Sequence, residues 1–273
     1  MIPKKVSERL RNSIPKYKKK LEDAKAKDLA ESDTVLIIYD MLEDIFGYEK
    51  LSEITSEYKI KGTYCDLAIK VDDKDEFLIE IKAIGKQLTE DHLRQVINYA
   101  AKQDDHWVIL TNGLIWQVHK VGNKTPIESE LVCELDFHSL GRRSEEDQEK
   151  LFVICKEGIM DREKDAREQF HKKSSARSRF LIGALLMSDE VVFTIRKELR
   201  KVTKGILVEP EDIRKILENE VIKRDVLEGE EAKISQNQVK KHYKKISKEN
   251  NETDASEMQE SEVQAAESPI QPN

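Results

Sequence analysis

The stretch from Asp66 to Lys82, D-L-A-I-K-V-D-D-K-D-E-F-L-I-E-I-K, constrains the fold more than any other part of the chain. Two runs of alternating apolar and polar residues flank the polar segment Asp72 to Asp75, which is the pattern of a β-hairpin. Side chains two apart on a strand share a face, so Glu80 and Lys82 point the same way and Ile81 points the other. Asp66, early in the first strand, can then sit across from that pair. Two carboxylates and one ammonium converge. Carboxylate oxygens suit Mg²⁺ or Mn²⁺, and a lysine beside such an ion can orient a water. The same E-x-K also describes the solvent face of an ordinary half-buried strand. Phe77 to Ile84 is apolar at nearly every other position on both faces, however, which suits a central strand, where lone charges are costly without partners.

The chain has 273 residues, enough for one good core with an appendage. Its formal net charge is −7, unevenly placed. Residues 1–27 hold ten Lys/Arg against three Asp/Glu, and residues 249–273 hold seven Asp/Glu and no Lys/Arg. The first segment reads as a basic, partly helical arm, with Leu10, Ile14, Tyr17 and Leu21 at helical spacing and a break near Pro15. Such an arm could touch phosphates. The last segment, residues 247–273, is poor in apolar residues and reads as a disordered acidic tail. Three cysteines (Cys65, Cys133, Cys155) form no C-x-x-C pair, and six scattered histidines form no H-E-x-x-H. This argues against a disulfide framework and a zinc enzyme, and for a reducing, cytoplasmic setting. No apolar run approaches membrane-span length.

In chain order, a helix capped by Ser32 or Asp33 runs to Gly47, with Glu31 at its start, where the helix dipole favours an acid. Leu51 to Ile60 reads as a strand, followed by the Asp66–Lys82 hairpin. Leu88 to Lys102 reads as a helix with a buried stripe of Leu93, Val96, Ile97 and Ala100. Gln95 and Tyr99 lie beside that stripe, on one helix face. Trp107–Leu110 and Leu114–Val121 form a second hairpin around Thr111-Asn112-Gly113, and Leu131–Phe137 an edge strand. Helix, three strands, helix and two strands imply an α/β fold with a mixed central sheet flanked by helices, the helix after Lys82 being the crossover to a parallel neighbour. The expected divisions are residues 1–27 (arm), 28–140 (the α/β domain), 141–246 (a C-terminal helical appendage) and 247–273 (tail). Within the appendage, Phe180–Leu186, Val191–Val202 and Pro210–Val226 read as helices. Arg177, Arg179, Arg196, Arg200, Lys201 and Lys204 make it basic, as a nucleic-acid surface or a solvated face would be. Gly122-Asn123-Lys124-Thr125 lacks the spacing of a phosphate-binding loop.

Several of these pieces, taken in order, resemble the PD-(D/E)xK nuclease superfamily, in particular the N-terminal domain of type I restriction enzyme R subunits and the related predicted type IV restriction endonucleases. Ala30-Glu31 through Leu42 and Gly47-Tyr48 resemble the family's opening helix. Glu57-Tyr58 resembles its P-E-Y strand, with Ser56 in place of Pro. Asp66 and Glu80-Ile81-Lys82 match the acid and E-x-K motifs, with Cys65 where Pro often stands. Gln95-Val96-Ile97-Asn98-Tyr99 matches Q-x-x-x-Y, and Leu110-Thr111-Asn112-Gly113 with Trp116 matches L-T-N-G-x-x-W. The resemblance covers residues 28–122 and implies a restriction-endonuclease-like core. It implies that Asp66 and Glu80 hold one or two Mg²⁺ or Mn²⁺ ions and that Lys82 positions the attacking water. Gln95 and Tyr99 would order the site or touch the nucleic-acid backbone, and Glu31 would add a carboxylate. The implied reaction is phosphodiester hydrolysis of DNA by an endonuclease of a restriction or defence system. A protein partner on the appendage and a homodimer are further expectations, since cutting both strands needs two sites or two visits. The competing readings are a non-catalytic or partner-activated nucleic-acid-binding module of the same fold, and an RNA or junction nuclease.

Overall fold

The computed structural model describes residues 2–60, 63–100, 106–122, 127 and 129–247. Two compact units divide the chain, residues 1–174 and residues 175–273. The expected boundary at residue 140 therefore falls inside the first unit. The acidic tail beyond Ser247 lies outside the described residues, as does Asn123-Lys124-Thr125.

The first unit is built on a mixed six-stranded sheet. Its strands are β1 (Ile54–Ile60), β2 (Thr63–Val71), β3 (Lys74–Ile81), β4 (His106–Thr111), β5 (Ile115–Val121) and β6 (Ser129–Asp136), and they lie side by side in sequence order. Every neighbouring pair is antiparallel except β3 and β4, which run parallel. Helix α3 (Glu90–Ala100) makes that parallel crossover, as the sequence pattern predicts. Val96 and Ala100 are buried with Ala68, Leu78 and Val108 on one face of the sheet, and Leu93 and Ile97 pack against them. The other face carries the main core. There α1 (Lys4–Ala26) and α2 (Glu31–Asp44) pack with Leu67, Ile69, Phe77, Ile79, Ile81 and Trp116.

Helix α1 corrects the reading of residues 1–27 as a basic arm separate from the α/β domain. Val6, Leu10, Ile14, Tyr17, Leu21 and Ala24 recur every three or four residues and are all buried. Of its positive charges, Arg9 pairs with Glu157, Lys16 with Asp44 and Lys20 with Asp40, along the flank of that stripe. Nor does Pro15 break the helix. A helix-interior proline typically costs about 3 kcal/mol, partly because the carbonyl four residues back loses its donor. Here that carbonyl, on Arg11, accepts a hydrogen bond from Arg142 Nε at 3.0 Å. A residue 131 positions away supplies what the local chain cannot, so the sequence spacing alone misplaces the break.

After β6 come α4 (Glu145–Phe152), α5 (Lys156–Met160) and α6 (Ala166–Ala176). Ser144 caps α4 by accepting from Asp147 N–H. The second unit is helical: α7 (Arg179–Leu186), α8 (Asp189–Val202), α9 (Pro210–Ile216), α10 (Arg224–Leu227) and a helix over residues 230–247. The single helix expected over Pro210–Val226 is interrupted. A wider π-turn over Leu217–Val221 ends it, and Ile222 is extended. A small core of Val192, Ile213 and Leu217 explains the interruption: the wider turn places Leu217 and Ile222 on the same cluster. Of the basic residues of this unit, Arg179 pairs with Asp225 and Lys201 with Glu198. Among the described residues no helix is long and apolar enough to cross a membrane.

Candidate active site

The hairpin β2–β3 turns on Asp72 and Asp73, both with positive φ (51° and 61°), so the loop is two residues shorter than the composition suggests. Two successive left-handed residues match the twist of the flanking strands. Val71 then faces Lys74 and Lys70 faces Asp75, but the next pair is Ile69 with Phe77. Glu76 is therefore an extra residue on β3, a β-bulge. From there the register continues through Ala68–Leu78 to Leu67–Ile79. Beyond that pair, Asp66 replaces a main-chain partner: its Oδ2 accepts from the Ile81 N–H at 2.7 Å.

This brings Asp66 to Glu80 and Lys82, as the sequence predicts. Lys82 Nζ donates to Glu80 Oε1 at 2.6 Å. Glu80 is only 1% exposed, and its Oε2 has no hydrogen-bond partner. The strand is central, with β2 and β4 on either side. A solvent-facing stripe, the alternative reading of E-x-K, does not describe this Glu80.

Electrostatics follow from the burial. Desolvation pushes the Glu80 carboxyl up to about 7, against the Lys82 hydrogen bond; the negative charges of Asp66 and Glu31 add to the rise. The Asp66 carboxyl is also raised, by burial first, with the Ile81 N–H and Lys82 opposing. Burial alone would lower the Lys82 ammonium, but the Glu80 hydrogen bond and the charges of Glu80, Glu31 and Asp66 hold it above its ordinary value. The cluster is short of positive charge.

Glu31 opens α2, with Ala30 rather than Ser32 or Asp33 as the cap residue. Thr34, one turn into that helix, accepts from the Ile84 N–H at 3.1 Å. That bond ties the start of α2 to the chain just past Lys82 and explains why Glu31's charge reaches the site. Glu31 does not complete a ligand cage: among the described residues no three His, Cys, Asp or Glu side chains converge as they would around a metal ion. Gln95 is exposed on α3, and the Tyr99 side chain lies outside the described residues.

The L-T-N-G-x-x-W segment acts on the site through the backbone. Thr111 carbonyl accepts from the Lys82 N–H at 2.9 Å. Asn112 Oδ1 accepts from the N–H groups of Leu114 and Ile115, and its Nδ2 donates to the Lys86 carbonyl at 2.8 Å. Gly113 has φ +84°, and a Cβ there would stand 3.1 Å from Leu21. Trp116 Nε1 donates back to the Gly113 carbonyl. The turn fixes where the chain goes after Lys82. Glu57 has a positive φ of 49°, and Tyr58 is committed elsewhere: its hydroxyl donates to Asp75, beside the hairpin turn.

Sequence reasoning missed Glu76 and Arg167. Arg167, 3% exposed, donates from Nη1 to the Glu76 carbonyl at 2.9 Å and from Nη2 to Glu76 Oε2 at 2.8 Å. Asp165 takes the rest of its fork, and the rings of Phe77 and Trp107 lie 5.0 and 5.3 Å from it. One signal was available. A two-residue turn with no bulge would pair Ile69 with Glu76 and Leu67 with Leu78, and would put Phe77 and Ile79 on the face of Asp66. The apolar stripes of the two strands agree only if one residue of β3 is extra.

The donor set suits a hard cation. Asp66 and Glu80 supply carboxylate oxygen only, and Glu80 Oε2 is buried without a partner. Mg²⁺ typically takes one or two carboxylates and keeps several waters. The chain matches no protein-family model, no curated protein and no solved structure.

Proposed function

We propose that residues 1–174 form a metal-dependent endonuclease of the PD-(D/E)xK kind that hydrolyses phosphodiester bonds in DNA. The observation that carries this reading is Glu80: a carboxylate on a central strand, removed from water, pushed up to about 7, with one oxygen bound to Lys82 and the other unpartnered. Strongly perturbed carboxyls gather at functional sites.

Asp66 and Glu80 would hold Mg²⁺ or Mn²⁺, whose charge stabilises the negative charge that develops on the phosphate. Every other contribution comes from the chain. Asp66 is oriented by the Ile81 N–H, which leaves Oδ1 for a ligand. Lys82, held at Glu80, offers its remaining ammonium protons to a water or to a phosphate oxygen. Glu31 adds negative potential that favours a cation. Restriction or defence is the setting proposed for such a nuclease domain.

A second reading is a partner-activated enzyme or a binding module of the same fold. It is favoured by the ligand set, in which, among the described residues, no third His, Cys, Asp or Glu joins the two carboxylates. A cleavage assay separates the readings. The full chain is mixed with duplex DNA, single-stranded DNA and RNA in Mg²⁺, Mn²⁺ or EDTA, beside Lys82→Ala. Metal-dependent cutting by the wild type, reduced at least 100-fold in Lys82→Ala, is expected, with duplex DNA the preferred substrate. Retained binding with no cutting on any substrate moves the assignment to the second reading. Equal cutting by both proteins shows that the site lies elsewhere.

A further inference from the structure

We infer that Arg167 is a positioning residue for this site, acting through the Glu76 bulge to set the register that brings Asp66 to Glu80. The inference rests on the nuclease reading for its meaning, and on the hairpin geometry for its argument.

Register in an antiparallel pair is all-or-none, because shifting by one residue turns every side chain to the other face. At the turn, Val71 faces Lys74. Carried on without a bulge, that register sets Asp66 opposite Ile79 and sends Glu80 to the opposite face from Asp66. With Glu76 extra, the last ladder pair is Leu67–Ile79, and Asp66 reaches the Ile81 N–H. One inserted residue therefore decides whether Asp66 and Glu80 share a face.

A bulge leaves main-chain groups outside the ladder, and these need other partners. Arg167 supplies one, by taking the Glu76 carbonyl with Nη1 and the Glu76 carboxylate with Nη2. A planar guanidinium spans both acceptors from two nitrogens in a rigid fork; a lysine ammonium is a compact point charge without that geometry. Asp165 fixes the guanidinium from its far side, and Phe77, the residue next to the bulge, lies under it. Arg167 comes from α6, 91 residues beyond Glu76. The element that holds the hairpin's register is thus in the charged helical segment that follows the sheet, and nothing in the hairpin motif itself points to it.

The test reads the site without requiring activity. In Ile81, an N–H bonded to a carboxylate gives a distinctive amide proton shift in a ¹⁵N-resolved spectrum of the metal-free protein, and Asp66→Asn defines its loss. Arg167→Lys should move the Ile81 signal to the Asp66→Asn position and slow cleavage by about 100-fold, the scale of a site misplaced by roughly 1 Å. Tyr48→Phe, which removes a buried hydrogen bond to the Ile154 carbonyl, is the control for general destabilisation and should leave Ile81 unmoved. Deleting Glu76 makes the hairpin regular in the same register, so deletion of Glu76 combined with Arg167→Met should restore the Ile81 signal. An unmoved Ile81 in Arg167→Lys overturns the inference. If Arg167→Lys does not fold, the double variant decides alone: restored signal supports it, and a folded protein lacking the signal overturns it. A wild type that cuts nothing defeats the nuclease reading, while the Ile81 result still stands for or against Arg167.

Discussion

Glu76 and Glu80 lie four residues apart on β3, and folding strips both of water, to 4% and 1% exposure. Each has a basic partner within 3 Å, Arg167 at 2.8 Å and Lys82 at 2.6 Å. There the likeness ends. Around Glu76 the guanidinium reaches carbonyl and carboxylate together, a second acid closes the fork, and two aromatic rings cover it. Around Glu80 the cation is a single ammonium on one oxygen, and the nearby charges of Asp66 and Glu31 have the wrong sign to help. Arg167 is held above its ordinary value although burial opposes it, by Asp165 and Glu76. Glu80 is pushed towards its neutral form. One end of the strand uses buried charge to fix geometry; the other stores an unmet demand for positive charge.

The largest expected effect lies at the first end. Arg167→Met removes the cation from buried Glu76 and half-buried Asp165, and breaking a buried pair typically costs about 3–5 kcal/mol. Denaturant unfolding should show this as a lower midpoint for the first unit, and a change below about 1 kcal/mol would show that the cluster contributes no net stability. Glu76→Gln is milder. It keeps shape and the carbonyl contact but loses a charge-assisted bond, for an expected loss of about 2 kcal/mol. An unchanged unfolding midpoint in that variant would assign the grip on the bulge to the main-chain carbonyl alone.

What the sequence discloses follows the same division. The strands, the crossover helix, the edge strand and the meeting of Asp66, Glu80 and Lys82 were legible because each depends on period and local turn chemistry. The L-T-N-G turn was legible for the same reason: Thr111, Asn112 and Gly113 bond within a few residues of themselves. Long-range compensation was not legible. The helix through Pro15 depends on Arg142, and the hairpin register depends on Arg167; neither partner is marked by spacing. Helix α1 resembles an arm when charge alone is weighed, although Leu10, Ile14, Tyr17 and Leu21 have the spacing of a buried face.

The smallest effect carries the opposite sign, and it is the sharpest form of the contrast. Glu80→Gln is the same substitution as Glu76→Gln, yet it should stabilise. The folded-state value near 7 stands above the ordinary 4.5 for this carboxyl. Between those values the folded chain binds more protons than the unfolded one, so stability falls as pH rises through that window. Below pH 4.5 both states are protonated and the group costs nothing. Above pH 7 the folded protein carries the full cost of an ionised, half-partnered carboxylate. Glutamine removes that cost but keeps a buried polar group. The gain should therefore be near zero at pH 5 and reach about 1–2 kcal/mol by pH 8. Urea unfolding of both proteins across that range measures the difference. A gain that grows with pH, alongside lost cleavage, shows a site held at the expense of stability. A flat difference, or a loss like that of Glu76→Gln, would make Glu80 a structural partner of Lys82 and remove the distinction between the two ends of the strand.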